Sequence, residues 1–455
     1  MADDRDAIDS LAFRRRQLFL AFTRGSKNVG EALVKRPNRP LYAGVAVALV
    51  VCLVVGVKAL VDQGPPKDWD ADGTLVIDRD AGGRYLTVDG TLRPVLNLTS
   101  LRLLSGGALP RSVQVGHGLL AGRPVGQPIG IAGAPDQPPA LVGPPARWVA
   151  CQGGRDRVDL LIGVPPEAGQ AGPGAPGGVL ARASDGSGRG RVYLVTGPSA
   201  FPLSSPGVLA RLGYSADQVR AVPRRWLDLL PKASPLELQP LPGGGGIPGA
   251  PFMADGTVVV DQSSGVQYLA AGGELHRVLN RTSLLLLDHP VRGPAQVPGD
   301  AVAAQPLGEP FGLADAPASP PQVPDGASPL VACVSSDRQP TQVLARPPVT
   351  AGLVRARPPS GASEGPEPGV RVWLPPGRGV LARPSTAAGA DPGTAPAVPG
   401  YLVAEGVAYP VADESTLGAL GYRRQQVQPL PRPWLGTLPT GPPLRTLRSP
   451  GGLGG

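Results

Sequence analysis

Large and reactive side chains are scarce in this chain. Aromatic residues make up 4% of it, and 455 residues include three cysteines, three histidines, two methionines and five lysines. So few aromatics point to a body with few large core side chains, held by many small contacts and by a cross-link. His117, His276 and His289 have no mutual spacing that suits a metal, and no Ser/His/Asp or Cys/His set can be read, so no catalytic or metal-ligating residue is assigned. His276, next to Arg277, reads as a surface or packing residue. None of Lys27, Lys35, Lys58, Lys67 and Lys232 ends a G-x-x-x-x-G-K-[ST] string, which excludes a phosphate-cradling loop of that kind and leaves no cofactor assigned. Gly243 to Gly246 is flanked by proline and reads as a linker. The formal net charge is +8 and the pI about 9.7, yet the basic residues are scattered and lack interleaved aromatics, so no nucleic acid is expected as partner.

Glycine and proline, by contrast, are plentiful: 64 and 58 residues, about 27% of the chain. That share approaches the level of unstructured sequence, so folded and low-complexity parts must be separated. Connectors are expected at 165–178, 240–251, 355–370 and 385–400, and the tail 437–455 is expected to be disordered.

One long apolar run stands out. Leu41 to Val61 carries a single charge, Lys58, near its end and is long enough to cross a bilayer once as a helix. It ends in Lys-Ala-Leu-Val-Asp rather than a small-residue cleavage site, so a retained anchor is expected. Residues 1–40 hold Arg14, Arg15, Arg16 and six further basic residues, whereas Asp62, Asp68, Asp70 and Asp72 follow the run. The excess of positive charge places the N-terminus in the cytoplasm and the rest outside the inner membrane. Within 1–40, Ile8, Leu11, Ala12, Phe19 and Phe22 recur at helical spacing. Two readings stand for this amphipathic helix: it lies on anionic lipid, or it docks a partner through Arg14, Arg15, Arg16, Phe19 and Phe22.

Beyond the anchor the chain repeats itself. Ala71-Asp72-Gly73-Thr74, Tyr85-Leu86 and Val95-Leu96-Asn97-x-Thr99-Ser100-Leu101-x-Leu103-Leu104 recur 183 positions later, from Ala254 to Leu287. A shorter unit occurs four times, starting with Tyr-Leu at Tyr85, Tyr193, Tyr268 and Tyr401. Each copy reads as a β-hairpin, turning at Asp89-Gly90, Gly197-Pro198, Gly272-Gly273 or Glu405-Gly406, followed by a Leu-x-x-Leu turn of helix. Those leucines, Leu101 and Leu104, Leu209 and Leu212, Leu284 and Leu287, Leu417 and Leu420, are the expected repeat core. Ser205 before Pro206, and Asp413 with Ser415, are candidate helix caps. A unit this small must pack on a neighbour or on a common centre.

The expected fold is α+β, mainly β: an elongated, pseudo-twofold outer region with a β-rich central domain and four repeats. Its parts are a cytoplasmic helix (1–40), the membrane helix (41–61), unit 1 (69–110), the first central half (111–190), unit 2 (191–231), unit 3 (252–290), the second central half (291–385), unit 4 (400–436) and the tail (437–455). Gly126 to Ile131, Gly308 to Leu313, Arg191 to Val195 and Arg371 to Leu374 are expected to build the centre. Val149-Ala150-Cys151 answers Val331-Ala332-Cys333 at a spacing of 182, so Cys151 and Cys333 sit at equivalent places outside the membrane and are expected to pair across the pseudo-twofold axis. Cys52 lies in the apolar run as a filler. Asn97 and Asn280 match the glycosylation acceptor pattern, but their place before each helix turn favours backbone capping.

A basic helix, Arg36-Pro37-Asn38-Arg39-Pro40 entering one span, the Ala-Asp-Gly-Thr and Val-Leu-Asn-x-Thr-Ser-Leu pairs and the two Val-Ala-Cys runs together resemble EccB, a core membrane component of the type VII (ESX) secretion system of actinobacteria, from about Leu11 to Trp434. The resemblance implies a disulfide-linked central domain flanked by four repeats similar to cell-wall-binding modules. It implies a structural subunit, itself a dimer or higher oligomer, assembled with an EccC-like motor ATPase, EccD, EccE and a mycosin protease to export Esx and PE/PPE-type proteins. The family is also labelled an ATPase, so nucleotide hydrolysis, with ATP as cofactor, is the alternative. A cell-wall-binding anchor is the second alternative.

Overall fold

The computed structural model describes residues 10–16, 18, 19, 22, 39–61, 67–153, 156–163, 177–184, 190–247, 249, 250, 253–344, 352–356, 369–385 and 400–447. It divides into two units, Met1–Trp69 and Asp70–Gly455. In the first, residues 10–16, 18, 19 and 22 are helical, and α1 (Arg39–Val61) is an unbroken apolar helix with Pro40 in its first turn, where a missing N–H is harmless. Among the described residues it is the one helix long and apolar enough to cross a bilayer. Ile8 lies outside the described residues.

The second unit is mainly β. Repeat unit 1 comprises β1 (Leu75–Asp78), β2 (Arg84–Val88), β3 (Thr91–Pro94), α2 (Leu98–Leu104), β4 (Ser112–Val115) and α3 (His117–Leu120). Then come β5 (Ala140–Leu141), which joins the edge of unit 4, and the central strands β6 (Trp148–Gln152) and β7 (Val158–Ile162). Unit 2 has β8 (Gly178–Ala183), β9 (Val192–Thr196), β10 (Ser199–Pro202), α4 (Pro206–Arg211), β11 (Val219–Val222) and α5 (Arg224–Asp228). Unit 3 has β12 (Thr257–Asp261), β13 (Gln267–Ala271), β14 (Glu274–Val278), α6 (Arg281–Leu285), β15 (Arg292–Val297), α7 (Gly299–Ala303) and β16 (Leu307–Phe311). The centre is completed by β17 (Val331–Ser335), β18 (Gln342–Leu344), β19 (Val354–Arg355) and β20 (Val370–Leu374). Unit 4 has β21 (Arg378–Ser385), β22 (Gly400–Ala404), β23 (Val407–Val411), α8 (Glu414–Ala419), β24 (Gln428–Pro431) and α9 (Arg432–Leu435).

Each unit is larger than the hairpin and helix read from the sequence. Before the hairpin stands a strand, and after the helix another returns parallel to it: Leu75 opposite Ser112, Leu180 opposite Val219, Thr257 opposite Arg292, Ala382 opposite Gln428. Hence β4 and α3 leave the first central half for unit 1 and β8 leaves it for unit 2, while β15, α7 and β16 belong to unit 3 and β21 to unit 4. Asp89-Gly90, Gly272-Gly273 and Glu405-Gly406 have positive φ at both residues, the two-residue turn whose twist suits a hairpin.

A fifth segment lies along the outer strand of every unit. Val125 and Ile129 bridge to Leu92 and Val95, Lys232 and Leu236 to Ala200 and Leu203, Thr440 and Leu444 to Ala408 and Val411, and β16 pairs with β14. Gly126 to Ile131 and Gly308 to Leu313 are therefore edge covers of units 1 and 3, not parts of the centre. Each cover carries proline, at Pro128, Pro235, Pro310 and Pro442, a residue that cannot extend the ladder and so blunts the sheet edge. The tail 437–455 corrects likewise: Leu444 is fully buried in unit 4, so the chain is ordered to Leu447, and 448–455 lie outside the described residues. Of the expected connectors, 240–247 packs on unit 3, where Asp255 accepts hydrogen bonds from the amides of Gly245 and Gly272, and Ile247 enters the core. Most of the other three connectors lies outside the described residues.

The central sheet has the order β18-β17-β6-β7-β20-β19. Arg371 to Leu374 contributes β20 to it, whereas the strand at Arg191 to Val195 is β9 of unit 2. Every residue of β6 and β7 is buried, because both faces are covered.

Candidate functional site: a disulfide-joined centre and its docked repeats

The pseudo-twofold axis runs between β6 and β17, which pair antiparallel with Cys151 opposite Cys333 and Ala150 opposite Val334. The two sulfurs are bonded, as their equivalent places in the repeat had indicated, and the bridge is buried among Val149, Leu161 and Leu344. On the other face Trp148, Ala150, Leu160, Ile162, Ala332 and Val334 point the opposite way, as alternate strand residues must, and units 2 and 4 seat there. Trp226 and Leu227 of α5 and Trp434 and Leu435 of α9 are the symmetry-related plugs, all buried in one cluster. The Trp226 indole N–H donates to the carbonyl of Ala150 at 3.0 Å.

A second pair of fasteners is symmetric in place but not in chemistry. On β24, Gln428 takes the N–H of Ala146 at 2.7 Å and returns a hydrogen bond to its carbonyl at 3.1 Å, fixing the lead-in to β6. At the same place on β11, Arg220 donates to the carbonyls of Ser328 at 2.8 Å and Leu330 at 2.6 Å, fixing the lead-in to β17. Burial lowers the affinity of this guanidinium for its proton. Arg220→Ala leaves two carbonyls and Gln152 without their donor, so a urea titration should show a loss of about 2–3 kcal/mol, against about 1–2 kcal/mol for Gln428→Ala.

Each outer unit sends a leucine into the core of an inner one. Leu103 of unit 1 is buried in the core of unit 4, beside Leu402, Leu417 and Leu420. Leu286 of unit 3 is buried in the core of unit 2, beside Leu194, Val208 and Leu212. The backbone repeats this exchange: Leu447 N–H donates to Leu103 O, and Gln239 N–H to Leu286 O. Leu101, Leu104, Leu212, Leu287, Leu417 and Leu420 are buried core residues. Leu209 and Leu284 are not; both are half-buried at the rim, because Val208 takes the inward place in α4 and Leu286 the inward place after α6. The missed residues, Leu103 and Leu286, stand eighteen positions after Tyr85 and Tyr268, where units 2 and 4 have Arg211 and Ala419. That difference between alternate copies was the available signal.

The repeat signatures are fasteners too. Asn97 and Asn280 cap α2 and α6 by accepting from Ser100 and Ser283 N–H at 2.8 Å, and their side-chain amides donate to the carbonyls of Ile131 and Leu313. Ser100 and Ser283 Oγ accept from the N–H of those same two residues, so each Asn-x-x-Ser grips an edge cover by both backbone groups. Asp72 accepts from the Gly90 N–H and so pins the hairpin turn. In unit 4 Asp413 caps α8 through Thr416 N–H and also receives Ser415 Oγ, whereas Ser205 makes no side-chain capping bond. His276 is a buried packing residue whose Nδ1 meets Glu309 O at 2.8 Å. Asn97→Ala and Asn280→Ala should each lower stability by about 1–2 kcal/mol, measured by urea unfolding.

Arg14, Arg15, Arg16, Phe19 and Phe22 lie on the N-terminal helix and are solvent-exposed in it, whereas Cys52 lies in α1 as a free thiol.

The chain matches the family model described as "Type VII secretion system ESX-1, transport TM domain B" over residues 3–254, 247–367 and 344–448. It is 30% identical over 277 residues to the "ESX-2 secretion system ATPase EccB2" of Mycobacterium tuberculosis H37Rv, covering 58% of this chain and 54% of that one. It is 27% identical over 294 residues to the "ESX-5 secretion system ATPase EccB5" of Mycobacterium marinum, with the same coverage. The chain thus spans about half the length of the curated relatives it matches. Among solved structures, a chain of the intact ESX-5 inner membrane complex superposes with a TM-score of 0.62 at 23% identity, covering 99% of this chain and 96% of that one. A chain of the EccB3 dimer from the ESX-3 core complex superposes at 0.61 with 24% identity, covering 82% and 100%. Matched along most of its length, this chain belongs to the EccB family, the transport membrane domain B of type VII secretion systems.

Proposed function

We propose that the chain is a structural subunit of a type VII (ESX) secretion complex of the inner membrane, with its repeats forming part of the extracytoplasmic assembly through which Esx and PE/PPE-type proteins are exported. The observation that carries this reading is the twofold centre, cross-linked by Cys151–Cys333 and flanked by units that share cores in pairs, an arrangement suited to bearing partners rather than turning over a substrate. The length and apolarity of α1 support its role as the membrane anchor, and the basic flank before it supports a cytoplasmic N-terminus. The partners are further copies of itself, an EccC-like motor ATPase, EccD, EccE and a mycosin protease, with the cell wall as a further surface. A second reading, nucleotide hydrolysis, is favoured by the names of the relatives, each called an ATPase.

The test is to extract the tagged full chain from its own membranes in mild detergent, identify what accompanies it and assay ATP hydrolysis. Recovery with the motor ATPase and multi-span partners, and hydrolysis that disappears when the motor is removed, is the expected result. Recovery alone with undiminished hydrolysis overturns it in favour of the second reading. Reversing the charge of Arg14, Arg15 and Arg16 together should strip partners from the complex without altering membrane insertion, measured by the same isolation and by carbonate extraction.

A further inference from the structure

Units 1 and 3 are copies, yet the end of their first strand is tied down by different chemistry. In unit 1, Asp78 closes β1 and is buried. Its Oδ1 accepts from the amides of Asp80 at 2.9 Å and Ala81 at 3.1 Å, and its Oδ2 lies 2.7 Å from His117 Nδ1. Asp80 accepts from the His117 amide at 2.7 Å. His117 opens α3, and its ring is open to solvent on the far side. Beyond α3, Arg123 pairs with Asp70 at 2.6 Å, and Pro124 accepts from Leu92 N–H to begin the edge cover Val125 to Ile129. The charged groups facing the ring are thus Asp78 and Asp80 from the β1 end, with the Arg123–Asp70 pair one turn further on.

In unit 3 the same carboxylate, Asp261, is satisfied within its own turn. Ser263 N–H, Ser263 Oγ and Ser264 Oγ all donate to it, which holds its pKa down at about 2. The place of His117 is taken by Gly299, which has no side chain to offer.

We propose that His117 and Asp78 form a pH-gated latch, present in unit 1 and absent from its twin, which holds α3 and the edge cover behind it while the imidazole is protonated and loosens them as the ring becomes neutral. Protonation adds the attraction of opposite charges to the hydrogen bond between the ring and the Asp78 carboxylate, whereas the neutral ring keeps only a hydrogen bond to that carboxylate, and the exposed ring exchanges protons freely. The hydrogen bond to Asp78 raises the pKa of His117, and the same bond lowers that of Asp78. His117 therefore contributes fully below its unfolded value of 6.5 and loses its contribution as pH rises through its raised folded value. Asp78 contributes fully above 3.8 and is lost only as pH falls through its lowered folded value. Asp261 contributes in full above 3.8 and is lost between there and about 2, so nothing in the unit 3 turn changes near neutrality.

Hydrogen exchange of the full chain in detergent, at pH 6.0 and pH 8.5 and corrected for the intrinsic base-catalysed rate, reads both copies in one sample. Protection of the peptide spanning 117–126 is expected to fall about three- to fivefold relative to that spanning 299–308 as pH rises, because local openings follow the strength of their own contacts. In His117→Gln, which keeps a polar side chain but cannot titrate, the ratio should stay flat. Ring titration by NMR should place His117, identified by its loss in that variant, above 6.5. Parallel changes in the two peptides, an unaltered slope in His117→Gln, or titration at or below 6.5 would overturn the latch.

Discussion

Joint replacement of Cys151 and Cys333 by alanine should lower the stability of the outer region by about 4–5 kcal/mol, the largest single effect expected here. The bond joins residues separated by 182 positions, so it removes a great deal of freedom from the unfolded chain in the loop-closure model. Alanine is the informative replacement. Serine would add two buried hydroxyls against Val149, Leu161 and Leu344, and should fall about 1–3 kcal/mol further. Urea unfolding followed by tryptophan fluorescence measures the loss, and hydrogen exchange should show it at the amides that open only by global unfolding. An alanine variant as stable as the parent would mean that the paired strands already supply the closure.

Trp226→Ala and Trp434→Ala should each lower stability by about 3–5 kcal/mol, because each indole is fully buried where an inner repeat meets the central sheet. Trp226→Phe keeps most of the volume and loses the hydrogen bond to Ala150, so its loss should be nearer 1 kcal/mol. The two alanine variants should also differ in where they loosen the molecule. Units 2 and 3 share one core and units 4 and 1 another, so hydrogen exchange should rise across units 2 and 3 for Trp226→Ala and across units 4 and 1 for Trp434→Ala. Uniform loosening of all four would contradict this paired arrangement.

Much of this architecture can be read without coordinates. Four Tyr-Leu units, their hairpin turns, the Asn caps and the two equivalent cysteines are local or periodic signals, and duplication makes each legible twice. The membrane helix is legible because length and apolarity alone specify it. These features depend on residues close in sequence, or on symmetry between copies, and so survive translation into a linear string.

Partnership did not. The parallel strands β4, β11, β15 and β24 return to their units across 35 to 46 residues with no turn signature to announce them. Leu444 looked like part of a loose tail because proline and glycine surround it, yet a single side chain filling the core of unit 4 outweighs that composition. Leu103 and Leu286 could be recognised as apolar, but which core each enters is a contact between distant segments. Arg220 and Gln428 occupy one position in two copies and do the same work by different hydrogen bonds. Local propensity and repeat symmetry therefore set the pieces, their turns and the disulfide pair. Only packing decided that unit 1 joins unit 4 and unit 2 joins unit 3, because burial of apolar surface rewards whichever surfaces meet and leaves no fixed spacing in the chain.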